Sequence, residues 1–132
     1  MNIVNILQQD YAKFPIDQNY HIYAENVYFQ DPLTKFHGLT RYQQSIEFIR
    51  TWFKSPQLEL YSIDRQDLLI TTHWKLSWNT PLPWKPRIEI TGNSEMLLND
   101  DELIISHIDY WNCSPFDVFM QHLGFRSDSS IN

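Results

Sequence analysis

The sequence predicts a single α+β domain, and three observations carry that expectation. Apolar residues recur at helical spacing as far as Phe53. Extended segments rich in β-branched and aromatic residues fill positions 57–113. No repeat or linker divides the 132 residues, a length that suits one core. Hydrophobic residues make up 42% of the chain and charged residues 20%, which supplies enough apolar surface to exclude general disorder.

The elements follow in order. Ile3, Ile6, Leu7, Tyr11 and Phe14 define one helical face, and Pro15 stops it. A second, short helix is expected over 19–26, with Asp17 placed to cap it. VYFQDP reads as a brief strand closed by Asp31-Pro32. Thr40 and Gln43 have capping-box spacing, and Tyr42, Ile46, Ile49 and Phe53 continue one apolar face towards Ser55-Pro56, where the helix should end. Four strands are expected over 57–65, 67–79, 87–98 and 102–113. A stiff loop with three prolines, NTPLPWKP, separates the second from the third, and Asn99-Asp100-Asp101 turns the third into the fourth. Ser114 caps a last short helix with Pro115 at its first position, ending before Gly124. The domain is therefore expected over 1–126, with 127–132 as a flexible tail.

Composition narrows the function classes. A formal charge of −6 lacks the basic surface that displaces counterions from phosphate, so no nucleic-acid partner is expected. Three glycines and the absence of GxGxxG, GxxxxGK[ST] and GxSxG leave no phosphate-cradling loop or nucleophile elbow. Cys113 is the single cysteine, so no internal disulfide or CxxC motif can form; it reads as a core residue. Apolar runs such as Leu68-Leu69-Ile70 and Leu103-Ile104-Ile105 are too short to insert into a membrane, and the N-terminus has no signal-peptide pattern. A cytoplasmic protein is the expectation.

The segment YAENVYFQDP followed by GLTRYQQSIEFI, and later ISHIDYWNC, resembles the nuclear transport factor 2-like superfamily, in its polyketide-cyclase-like branch. HGLTRY, LPWKPRIEITG and SHIDYWNC together resemble an uncharacterised family of cyanobacterial and plant-plastid proteins within it. The resemblance covers roughly residues 3–123. It implies a strongly bent antiparallel sheet wrapped around the N-terminal helices as a cone with an internal cavity. It also implies a homodimer formed through the outer sheet face.

Alternation along the last strand puts His107, Asp109 and Trp111 on one face. In the epoxide hydrolase and polyketide cyclase branches, the acid matching Asp109 points into the cavity and acts as general acid or base. The hydrolase also needs an Arg and a second Asp on a neighbouring strand, and TTHWKLSW has neither. The alternative role for Asp109 is a brace, hydrogen-bonded to His107 or to Trp and Tyr groups. Asp31 matches the proton-shuttling base of ketosteroid isomerases, and Tyr11 matches one of their enolate-binding acids. The other acid falls at Ser94, a much weaker donor. Asp31 could equally end its strand by binding local backbone amides.

His73, His107 and Asp109 could together supply three metal ligands, but no HxH or HExxH spacing supports this, so neither metal nor cofactor is expected. Trp52, Thr72, Trp74, Trp78 and Trp111 are candidates to wall a ligand cavity, unless they simply fill the cone. Trp84, between prolines and cations, is expected to pack over the end of the barrel or sit at the cavity lip. The reading is a module that binds a small, largely apolar molecule. The alternatives are a cofactor-free isomerase, cyclase or hydrolase, and a protein-interaction module.

Overall fold

The computed structural model describes residues 2–124; the expected tail lies outside the described residues. Helix α1 (Ile3–Lys13) starts at Asn2, whose side chain accepts from the Val4 amide, and buries Ile3, Leu7, Asp10 and Tyr11 along one face. Strand β1 (Tyr23–Gln30) and the short β2 (Lys35–His37) lead to α2 (Leu39–Trp52). Four long strands follow: β3 (Lys54–Gln66), β4 (Leu69–Asn79), β5 (Arg87–Leu98) and β6 (Ile104–Trp111). Helix α3 (Pro115–His122) closes the described chain with a capping box between Ser114 and Asp117.

One six-stranded sheet runs in the order β2-β1-β6-β5-β4-β3. All neighbours are antiparallel except β1 and β6, which run parallel. The sheet curls into an open cone, with α1 across β3 and α2 against β1. The Gln121 side chain fixes α3 to β5, accepting from the Glu89 amide at 2.7 Å and donating to its carbonyl at 3.1 Å. The core runs from Ile3 and Leu7 on α1 to Ile70, Ile88, Met96, Leu98 and Ile104 on the strands.

Several local expectations are corrected. Only a 3₁₀ turn, Tyr20–Ile22, forms where a helix was expected over 19–26, and Tyr23 already belongs to β1. Tyr23, Val27 and Phe29 are all buried, as their even spacing on one strand face allows, and the four-residue spacing of the first two also fits a helix. Asp17 adopts φ 55° and caps nothing, while the Asn19 side chain turns to Asp10 instead. The N-cap of α2 is Gly38 (φ 110°) without a side-chain cap, so Thr40 lies already within the helix. Pro56 sits inside β3 rather than ending α2. β3 is an edge strand whose register shifts between Lys54 and Gln57, and a proline is tolerated there. Trp84 reaches α3, its indole N–H donating to the His122 carbonyl at 2.8 Å with the ring left largely exposed.

Candidate functional site

Strand alternation and register arrange the inner face of the cone in rows. Thr72, Ser94 and Asp109 are direct cross-strand partners on β4, β5 and β6, and Trp74, Gly92 and Trp111 form the adjacent row. Asp109 Oδ1 accepts from the Ser94 hydroxyl at 2.5 Å and lies 2.8 Å from His107 Nε2. The Trp74 indole N–H donates to Ser94 Oγ at 2.8 Å. From α1, the Tyr11 hydroxyl meets Thr72 Oγ1 at 2.8 Å.

His107 is 9% exposed, and among the described residues its buried Nδ1 has no partner. An N–H there would be a buried donor with nothing to accept it, so the ring proton sits on Nε2 and is donated to Asp109. Both bonds to Asp109 fall on Oδ1, and its side chain keeps 34% exposure. Tyr11 and Tyr42 stand near this carboxylate, and Tyr23 packs against Tyr42. Burial raises all three phenols above their ordinary range, and Asp109 adds to the effect at Tyr11 and Tyr42. They therefore remain neutral hydrogen-bonding groups at physiological pH.

A cavity of about 770 Å³ opens onto this network. Its walls include Tyr11, Tyr23, Phe29, Phe36, Tyr42, Phe53, Trp74, Trp78 and Trp111. Two ring pairs brace the walls: Phe29 stacks on Tyr42 at 4.0 Å, and Phe53 on Trp78 at 4.3 Å. The exposed Leu33, Phe48 and Trp52 form the rim.

Of the residues singled out in the sequence, Tyr11, Trp74, Trp78, His107, Asp109 and Trp111 come together around the cavity, with Trp52 at its edge. Thr72 lies behind the wall, fully buried and bonded to Tyr11. Asp31 also borders the cavity, but its Oδ1 accepts from the amides of Leu33 and Thr34 at 2.7 and 2.9 Å, bracing the β1–β2 turn. His73 does not join His107. It points to the outer sheet face, where Nδ1 lies 3.2 Å from Ser62 Oγ, so the His73–His107–Asp109 ligand set is not assembled. Cys113 is half-buried against the core, and burial raises its thiol pKa, which does not suit a nucleophile.

The family described as "Uncharacterized conserved protein (DUF2358)" matches residues 1–107. The chain belongs to that family. The match ends short of Asp109 and Trp111, so the cavity residues of DUF2358 seen here extend past the matched segment. No curated protein matches the chain.

Solved structures give the fold. A hypothetical protein with a ketosteroid isomerase-like fold from Catenulispora acidiphila, in complex with trimethylamine, superposes with a TM-score of 0.72 at 13% identity, covering 91% of each chain. An LEH-like epoxide hydrolase of M. tuberculosis gives 0.69 at 11% identity, covering 92% of this chain and 86% of the other. A putative polyketide cyclase from Xanthomonas campestris gives 0.68 at 13%, covering 83% and 89%. At these identities the likeness is one of fold: this DUF2358 chain shares the cone-shaped fold of nuclear transport factor 2-like proteins.

Sequence reasoning missed Tyr23, Phe29, Tyr42 and Thr80 as cavity residues. Phe29 lies in VYFQDP, which reads as a strand too brief to show which face turns inward, and Tyr23 falls within the helix expected over 19–26. The resemblance presents Ser94 only as a weak substitute for an acid, whereas it is the bridge between Trp74 and Asp109.

Proposed function

We propose that the protein binds a small, largely apolar molecule inside the cone, with Asp109 as the fixed polar handle. The observation that carries this reading is the aromatic-walled cavity of about 770 Å³ with a hydrogen-bonded carboxylate on its floor, a volume in the range of small-ligand sites. Ser94 and His107 hold Asp109 Oδ1, so the orientation of the carboxylate is set before any ligand arrives.

The test uses N-phenyl-1-naphthylamine, a neutral probe that brightens in apolar surroundings. It should bind the folded protein and quench its tryptophan emission, and Trp74→Ala, Trp78→Ala or Trp111→Ala should change its affinity several-fold. An affinity untouched by all three substitutions removes the pocket from this wall.

A second reading, a cofactor-free isomerase, cyclase or hydrolase, is favoured by one observation. Asp109 is partly open to the cavity and bonded through one oxygen alone, which leaves Oδ2 placed to take a proton. His107 would then orient the base, and Tyr11 and Asp31 would be the assisting groups to examine. Turnover of a bound molecule that is lost in Asp109→Asn while binding persists would mark this reading.

A further inference from the structure

We infer that the ligand of this cavity carries a positive charge, and that an amine on an apolar body is the chemical class it takes. This deepens the reading of the cone as an apolar ligand site and rests on it.

The cavity wall contains three carboxylates, Asp10, Asp31 and Asp109, and no lysine or arginine among the described residues. None of the three has a Lys or Arg ion-pair partner among the described residues, and the one imidazole in contact, His107, donates to Asp109 through Nε2. Asp10 is 4% exposed, and among the described residues its carboxylate is held only by Asn19, whose side-chain amide donates at 2.6 Å. Burial raises the Asp10 pKa, the sign of a carboxylate short of countercharge.

The polar atoms left without partners lean the same way. Among the described residues, His107 Nδ1 and Thr80 Oγ1 are buried and unbonded, and both residues border the cavity. Of the groups the cavity can reach, Asp109 Oδ2 takes neither of the bonds that hold Oδ1, and a carboxylate oxygen can only accept. The site therefore has acceptors to spare and asks for a donor. An ammonium group supplies donors and charge together, and aromatic faces attract it where a carboxylate or phosphate would be repelled. Phe36 already has the exposed Arg41 over its ring at 5.1 Å, on the outside of the cavity.

The experiment compares three molecules with one apolar body: 4-phenylbutylamine, 4-phenylbutan-1-ol and 4-phenylbutanoate. Each is titrated against the full chain at neutral pH by calorimetry and tryptophan emission. The amine should bind at least about tenfold more tightly than the alcohol, and the carboxylate most weakly, as expected for a charge-assisted hydrogen bond in a partly dry site. In Asp109→Asn, which keeps an acceptor for Ser94 and His107, the ratio of amine to alcohol affinity should fall towards one. If that variant does not fold, the wild-type series alone decides. Equal binding of amine and alcohol, or preference for the carboxylate, overturns the charge inference and leaves the apolar pocket standing. Failure of all three to bind overturns both.

Discussion

Ser94 is small, but its hydroxyl joins Trp74 to Asp109 at the floor of the cavity. Its hydroxyl accepts from the Trp74 indole and donates to Asp109, so Ser94→Ala strands a buried N–H and removes one of the two donors to the carboxylate. Leaving buried polar groups unsatisfied costs roughly 1–3 kcal/mol, and the variant should lose about that much stability in urea denaturation. A loss under about 0.5 kcal/mol would mean that the network does not hold Asp109. At this scale the sequence was partly legible. Alternation along SHIDYW was enough to put His107, Asp109 and Trp111 on one face, because period two needs no knowledge of neighbours. The bond from Ser94 needed the β5–β6 register, which no local pattern in RIEITGNSEMLL reveals.

Among the elements, the long strands were readable within a few residues, and the inner wall depends on one glycine within them. Gly92 sits between Trp74 and Trp111 in its row of the sheet. A Cβ there would run into the Tyr110 carbonyl oxygen and lie 3.1 Å from the Trp74 ring. The ring could shift, but the carbonyl belongs to the neighbouring strand and cannot. Gly92→Ala should therefore destabilise by about 3 kcal/mol, the upper end for overpacking, and disturb the β5–β6 pairing. Chemical denaturation and backbone amide exchange across β5 and β6 would check it; wild-type stability would contradict this close approach. The elements that were not legible fail for physical reasons. Tyr23 and Val27 lie four apart, a spacing that one face of a strand and one face of a helix share, and KFH is too short to show a period. The parallel pairing of β1 with β6 joins residues about 80 positions apart, far beyond any local signal.

For the molecule as a whole, curling one sheet around α1 and α2 creates a cavity, and its acidic lining has a consequence for stability. Asp10, carried inward on the buried face of α1, has its pKa raised above 3.8. Desolvation outweighs the hydrogen bonds from Asn19 and the more distant charges of Lys13 and His21. A carboxyl group with a raised folded-state pKa binds its proton more tightly in the native than in the unfolded chain. Its contribution is therefore unfavourable at neutral pH, and that penalty is relieved as the pH falls through the folded value towards 3.8. This is opposite to Glu102, whose pairing with Arg65 lowers its pKa and is lost on acidification. Glu102 is present in both proteins of a comparison between wild type and Asp10→Asn, so the difference isolates Asp10. The variant should be at least as stable as wild type at pH 7, and its relative advantage should shrink as the pH approaches 4. Urea midpoints for the two proteins across that range give the result directly. An advantage that grows on acidification would show that Asp10 is stabilised as the anion in the native fold, contrary to its surroundings.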